Sequence, residues 1–235
     1  GNLRFPPAAK GGVHLTDYRK FRLSKRNDPE FSHLKLLLFW PIYGLVFFAL
    51  ERLLHLDYHT IYTPLDDLVP FCEFFLFAYL YWFVFLIGMH LYLLLFDTEG
   101  FRKFMWFIIL TYSLTCIIYL IYPSQQELRP AAFQRDNLLT RFMAWFYTFD
   151  TNTNVCPSLH VIGSMAVLAA AWNTPRFATP LWRTAFVLQA ALISVSTVFL
   201  KQHSLLDIPP ALAISAGAYY LVYHRGNRQR KRQRK

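Results

Sequence analysis

The stretch that organises this chain reads Asn152-Thr-Asn-Val-Cys-Pro-Ser-Leu-His-Val161. Its polar residues give way at Pro157-Ser158 to an apolar run, which predicts a loop followed by a helix start. His160 then lies in the first helical turn, where backbone N–H groups lack intrahelical partners and the helix dipole is positive. Such a position favours a bound anion, for example a phosphate group. A histidine beside it is a candidate acid or base, although a packing histidine without chemistry fits the same position.

Composition indicates that the chain is an integral membrane protein. Of its 235 residues, 55% are apolar, 18% are aromatic and only 16% are charged, which excludes an ordinary soluble domain. We predict an all-α integral membrane protein with six transmembrane helices, because its charge-free runs reach or approach about 20 residues, the length that crosses a bilayer. Five of these runs are residues 74–96, 104–126, 151–175, 184–200 and 208–224.

The sixth run, residues 36–50, is shorter than the others. Leu53 and Leu54 prolong it, and we expect Glu51 and Arg52 to snorkel to water at the end of this helix. It therefore counts as the first span.

Basic residues are unevenly divided between the two sides of this arrangement. Six spans put both termini on one side, and 19 of the 24 Lys and Arg residues fall there, which predicts that both termini are cytoplasmic. The chain then divides into a basic N-terminal segment (1–33), a six-span membrane domain (34–224) and a basic cytoplasmic tail (225–235). Despite the net charge of +10, this tail is more typical of a lipid-surface anchor than of a nucleic-acid-binding arm.

The longest predicted outer loop, residues 124–154, contains a helical pattern of its own. Leu138, Phe142, Trp145 and Phe149 repeat at helical spacing, and Thr140 is turned away from them. This pattern predicts an interfacial helix between spans 3 and 4, which would serve as a lid or a packing element.

The three cysteines, Cys72, Cys116 and Cys156, have neither an even disulfide pattern nor metal-ligand spacing. We interpret them as packing residues, Cys156 included, although it adjoins the opening stretch. The sequence predicts no bound metal and no cofactor.

A second histidine lies where the fifth predicted span ends. His203 precedes Asp207 by four residues, so the two would share one helix face if this segment were helical. The carboxylate would then accept the imidazole N–H and leave the other ring nitrogen as a nucleophile or base. Under the predicted topology, His160 begins an inward span and His203 ends an outward one, so both lie at the outer face.

These residues together resemble a known family. Arg129-Pro130, Pro157-Ser158-Leu159-His160, and His203 with Asp207 are similar to the three-part signature of the type 2 phosphatidic acid phosphatase superfamily, whose members are six-span lipid phosphatases and phosphotransferases. The resemblance implies that His203 attacks phosphorus, that Asp207 orients it and that His160 protonates the leaving oxygen. It further implies that Arg129 and the N–H groups around Ser158 hold the phosphoryl oxygens.

Two positions depart from the family pattern. Tyr122 stands where the first motif has lysine, and Thr197 stands where the third motif has arginine. Lys201 remains as a second candidate phosphate-binding cation beside Arg129. A phosphodiester carries one negative charge and needs fewer cations than a monoester dianion. The departures, and Leu159 in place of the commoner glycine, therefore resemble the inositol phosphorylceramide synthase branch, and sphingomyelin synthases are a related possibility.

Four functions fit the sequence. The first is a metal-independent lipid phosphatase that works through a phosphohistidine at the outer face of the plasma (inner) membrane. The second is a phosphotransferase that moves a phospho-headgroup between lipids. The third is an inactive relative that binds lipid phosphates, and the fourth is a metal-dependent hydrolase that uses the same two imidazoles and carboxylate as ligands. The expected partners are a lipid phosphate and the bilayer, with no nucleic acid and with the oligomeric state open.

Overall fold

A computed structural model of the chain describes residues 16–20, 22, 24, 27–54 and 56–225. The first fifteen residues of the predicted N-terminal segment and the predicted tail from residue 226 onward lie outside the described residues. Most of what is described is helical.

Seven α-helices make up most of the described part of the chain. A 3-10 turn at Ser32–Leu38 leads directly into the first of them, and a π-helical turn, Tyr220–Arg225, continues the last. In chain order the helices are α1 (Phe39–Arg52), α2 (Leu76–Phe96), α3 (Thr98–Ile121), α4 (Leu138–Phe149), α5 (Leu159–Trp172), α6 (Pro180–Phe199) and α7 (Ile208–Tyr219).

Among the described residues, five helical segments are long and apolar enough to cross a membrane. They are Ser32–Arg52, Glu73–Phe96, Thr98–Ile121, Pro180–Phe199 and Leu205–His224. Helix α5 is also apolar but has only 14 residues, fewer than the charge-free run 151–175 that contains it. The difference arises because the first part of that run is a loop that pairs with the segment after α3. The chain is thus an all-α membrane protein.

Helix α5 lies at the centre and packs against α2, α3, α6 and α7. Small residues allow this close approach: Ala166, Ala169 and Ala170 are all buried. The tightest contact is at Gly163, where a Cβ would lie 2.8 Å from Trp82 Nε1 of α2 and 2.9 Å from the Tyr112 hydroxyl of α3. Glycine at this position lets both large side chains reach the α5 backbone.

Two short parallel strands tie the loops together at the α5 N-terminal end of the bundle, which we call the site end. Strand β1 (His59–Thr60) pairs with β2 (Ser124–Gln125), with His59 opposite Ser124. Gln125 also bridges to Thr153, and the Asn154 amide donates to the Ser124 carbonyl. The loop before α5 is therefore held against the end of α3.

The predicted helix in the loop after α3 is present as α4. Asn137 caps it, because its side-chain oxygen accepts from the Leu139 and Thr140 amides. Thr140 and Met143 are buried against the bundle, whereas the predicted apolar stripe, with Trp145 and Phe149, is largely exposed.

The two charged residues at the end of α1 differ in exposure: Arg52 is exposed, as expected for a side chain that snorkels to water, whereas Glu51 is partly buried. The Glu51 carboxylate accepts hydrogen bonds from the Thr151 and Thr153 hydroxyls and, at 2.5 Å, from the Asn154 side-chain amide. Arg52 Nη2 donates to the Phe149 carbonyl at 2.7 Å. The Glu51 carboxylate thus ties the end of α1 to the loop that precedes α5, and the exposed Arg52 adds a hydrogen bond to the last residue of α4.

Candidate active site

His160 lies among aromatic rings at the start of α5. Its ring centroid is 4.3 Å from that of Tyr79, 4.5 Å from that of Trp82 and 5.8 Å from that of His203. Its Nε2 has no hydrogen-bond partner among the described residues. A buried imidazole nitrogen without a partner is uncommon and marks a position where a ligand or a proton could be received.

His203 and Asp207 form the predicted pair, but not on a helix face. His203 lies in a turn after α6, and Asp207 ends the 3-10 turn Leu205–Asp207 that leads into α7. The two still meet, with 2.9 Å between His203 Nδ1 and Asp207 Oδ2, because the same carboxylate oxygen accepts from the Ser204 amide and closes the turn. With Nδ1–H donating to the carboxylate, Nε2 carries the ring's lone pair.

A residue of the loop before α2 holds this turn in place. The Asp66 carboxylate is fully buried and accepts from the Ser204 hydroxyl at 2.6 Å and from the Leu205 amide at 2.8 Å. Its backbone carbonyl accepts from Lys201 Nζ at 2.7 Å. Asp66 therefore anchors the segment that carries His203.

Lys201, predicted to bind phosphate, instead donates a hydrogen bond from its Nζ to the Asp66 carbonyl. Its side chain is buried, its φ of 52° lies in the left-handed region, and burial lowers the pKa of its ammonium group. The role of Lys201 as a phosphate-binding cation stays a prediction.

Ser158 lies between the two histidine segments. Its backbone N–H donates to the Asp207 carbonyl at 3.2 Å, so this amide is already engaged by the protein rather than left for a phosphoryl oxygen. Its hydroxyl is fully buried and has no partner among the described residues. The predicted contact of Ser158 with phosphate thus rests on the hydroxyl.

The neighbouring Cys156 is not a reactive thiol. Burial and the nearby charge of Asp207 raise its pKa to about 12, so the thiolate that would act as a nucleophile is disfavoured. The interpretation of Cys156 as a packing residue agrees with this.

Arg129, the other predicted phosphate-binding cation, clamps the loop after α4. Its guanidinium donates to the backbone carbonyls of Tyr147, Asp150 and Thr151 at 2.8–3.0 Å and lies over the Tyr147 ring, 4.4 Å from its centroid. Nη2 also donates to Gln202 Oε1 at 2.7 Å. These contacts use much of its hydrogen-bonding capacity, and a phosphate-binding role stays a prediction.

Gln202 continues this network to Asp150. Its Nε2 donates to Asp150 Oδ2 at 2.7 Å, and the Tyr79 hydroxyl donates to the same oxygen at 3.0 Å. Burial raises the pKa of Asp150, because a buried carboxylate loses hydration. Since the Tyr79 ring lies on His160, the network links Arg129 to the histidine pair.

A cavity of about 570 Å³ reaches this site from between α1 and α2. Asp150 and His160 lie at one end of it, and its walls are aromatic and aliphatic. The α2 wall is formed by Tyr79, Trp82, Phe83, Leu86, Ile87, His90 and Leu91. The opposite wall is formed by Trp40, Tyr43 and Phe47 of α1 and by Leu37 of the 3-10 turn before it.

The sequence indicated His160, His203 and Asp207, and the structure brings them together. It did not indicate Asp66, Asp150, Gln202 or Tyr79 as neighbours of this site. One available signal was that Asp66 and Asp150 are acidic residues close to predicted spans, where a charge is retained only with partners. Among the described residues, no three His, Cys, Asp or Glu side chains are arranged to hold a metal ion.

Comparison of the chain with family models, with curated protein sequences and with solved structures finds no match. A proposal for its function therefore rests on its own residues and their geometry.

Proposed function

We propose that this chain is an integral membrane enzyme that cleaves the phosphoester of a lipid through a covalent intermediate on His203. The observation that carries the proposal is the placement of the His203–Asp207 pair against His160, at the polar end of an apolar cavity. A carboxylate-oriented imidazole is a nucleophile, and a second imidazole beside it is an acid. The resemblance of its three motifs supports the further proposal that the chain is a member of the type 2 phosphatidic acid phosphatase superfamily.

The reaction has two steps. His203 Nε2 attacks phosphorus and forms an N–P bond while the P–O bond to the lipid breaks, and His160 gives a proton to the leaving oxygen. Water then attacks phosphorus and gives a proton to His160 while the N–P bond breaks, which releases the phosphate and returns the lone pair to His203 Nε2. In this scheme Asp207 holds the His203 Nδ1–H throughout, and the Ser158 hydroxyl, which has no partner among the described residues, donates to a phosphoryl oxygen.

The proposed topology has six spans, with α5 as the short fourth one. Both termini then lie in the cytoplasm, where 19 of 24 basic residues gather, and the histidines lie at the outer face of the plasma (inner) membrane. Helix α4 lies at the interface, because Leu138, Trp145 and Phe149 form an exposed apolar face at the site end.

A second candidate is transfer of the phospho-group to another lipid hydroxyl instead of water. The observation that favours it is the shortage of uncommitted cations: Arg129 and Lys201 are bound to protein carbonyls. Tyr122 stacks on His59 and Thr197 is buried with its hydroxyl on the Ser194 carbonyl, so neither supplies a charge. A singly charged phosphodiester needs less neutralisation than a monoester dianion.

The test is incubation of the purified protein with radiolabelled phosphomonoester and phosphodiester lipids, with and without a lipid alcohol. Release of inorganic phosphate supports hydrolysis, and a new phospholipid supports transfer. His203→Ala abolishes acid-labile labelling of the protein, whereas the matched variant His59→Ala, at an exposed position, retains it. Labelling that persists in His203→Ala rejects the nucleophile, and loss of activity with a chelator rejects the metal-independent scheme.

A further inference from the structure

We propose that the cavity between α1 and α2 seats one hydrocarbon chain of the lipid substrate, and that the lipid enters it sideways from the bilayer. This proposal rests on the proposed function, since it names the way that the substrate of the same site is held. Three features of the cavity support it: the direction in which it runs, its open side, and the distribution of its polar groups.

The cavity runs along the helices and away from the histidines. On α2 its wall extends from Trp82, which contacts His160, to His90, a distance of about 12 Å at 1.5 Å per residue. Helix α1 runs the opposite way, with Glu51 bound at the site end and Trp40 level with His90. A chain lying in the cavity would therefore extend along the bundle while its head stayed at the site.

One side of the cavity is open along its length. Phe83, Ile87 and Leu91 line it, recur every four residues on one face of α2, and are 46%, 54% and 52% exposed. Helix α1 packs mainly on α3, which leaves a gap beside α2. In a bilayer this face meets acyl chains, so a lipid can slide in without its chain crossing water.

Asp150 and His160 lie at one end of the cavity, and Trp40 and His90 pair with each other at the other end. Tyr112 also lines the cavity, and its hydroxyl, which has no hydrogen-bond partner among the described residues, lies against the α5 backbone at Gly163. Trp40 Nε1 donates to His90 Nε2 at 3.1 Å, and His90 Nδ1 then donates to the Leu86 carbonyl at 2.8 Å. His90 is thus neutral with both nitrogens engaged, and it presents no charge to the cavity. A site with Asp150 and His160 at one end and apolar walls beyond fits an amphiphile with one polar head.

The test combines photo-crosslinking with two matched pairs of variants. The probe is a phospholipid with a diazirine in one acyl chain, in vesicles that contain the purified protein. Ile87→Trp and Leu91→Trp fill the cavity. Ile117→Trp on α3 and Leu95→Trp on α2 are their controls, since both positions are about half exposed and neither lines the cavity.

We expect crosslinks on the cavity walls, lowered about tenfold by the cavity-filling variants and unchanged by the controls. The same variants should slow turnover of a long-chain substrate and spare a short-chain, water-soluble one. Crosslinks spread evenly around the bundle, or crosslinks on the cavity walls that the cavity-filling variants leave unchanged, overturn the proposal. Crosslinking needs no turnover, so His203→Ala should lose activity and keep the cavity crosslinks. If the wild-type protein shows cavity crosslinks but cleaves no phosphoester, the proposed function is rejected and the lipid seat is kept.

Discussion

The rings of His160 and His203 meet edge to face, with their centroids 5.8 Å apart and their planes at 69°. The contact exists because α5 begins where α6 ends, and because the turn after α6 is closed by Asp207. Under the proposed function, the substrate phosphate would be held by these two rings and by the Ser158 hydroxyl. Substitutions of the residues that position these groups should therefore change turnover or stability.

Asp207→Asn should lower turnover by about 10²–10⁴-fold, because an asparagine amide no longer favours the His203 tautomer with a lone pair on Nε2. The measurement is single-turnover kinetics of lipid phosphoester cleavage. Asp136→Asn, which removes the charge of an exposed carboxylate paired with Arg141, is the control and should leave the rate unchanged. Equal rates for wild type and Asp207→Asn would show that the pair only shapes the turn.

Asp66→Ala should destabilise the protein by removing the anchor of the His203 segment. The Ser204 hydroxyl and the Leu205 amide would lose their acceptor, at about 1–3 kcal/mol for each group left without a partner. The melting temperature in detergent should fall by several degrees and activity should fall with it. Asp67→Ala, at an exposed neighbour, should change neither. A stable, fully active Asp66→Ala would contradict the anchoring role.

Arg129→Lys should lose much of the function of Arg129, because an ammonium group cannot reproduce a planar fork that serves three carbonyls and Gln202. We expect a lower melting temperature, and for Arg129→Ala a fall in turnover of roughly 10²-fold or more. Arg135→Lys, at a largely exposed side chain, is the control. If Arg129→Lys keeps its stability but loses turnover, the guanidinium serves substrate rather than the loop.

The sequence predicted the helix start at Ser158, helix α4 and the residues of the histidine pair, because these depend on local spacing and hydrophobic pattern. It also placed the end of the fourth span near Trp172, where α5 ends, but it could not show that the loop residues before this helix, such as Asn152 and Thr153, pair with the segment after α3. The contacts of Glu51 and Asp66 could not be predicted from the sequence. Each carboxylate binds a loop about 100 or more positions away, and no local pattern encodes that contact.

Asp150→Asn should change how stability depends on pH. Burial raises the pKa of Asp150, so the native state holds this proton more tightly than the unfolded chain, whose aspartate pKa is about 4. The stabilisation is complete below that value and is lost as pH rises through the raised native pKa. Asparagine does not titrate, and its one amide oxygen can accept from both Tyr79 and Gln202. The melting temperature of Asp150→Asn relative to wild type should therefore rise from acid to neutral pH. A difference that is constant, or that grows toward acid pH, would contradict the assignment.

Gly163→Ala should disturb the site from the far side of His160. The added methyl group would lie 2.8 Å from Trp82 Nε1 and 2.9 Å from the Tyr112 hydroxyl, both of which pack on α5 from other helices. Overpacking of this kind destabilises by about 1–3 kcal/mol, and a displaced Trp82 would also move off the His160 ring. Gly217→Ala on α7 is the matched control, since no described atom lies within 4 Å of its added Cβ and alanine is the better helix former by about 1 kcal/mol. We expect a lower melting temperature and slower cleavage for Gly163→Ala, with an unchanged or higher melting temperature and wild-type cleavage for Gly217→Ala. If both variants behave alike, the contact of Trp82 with α5 does not position His160.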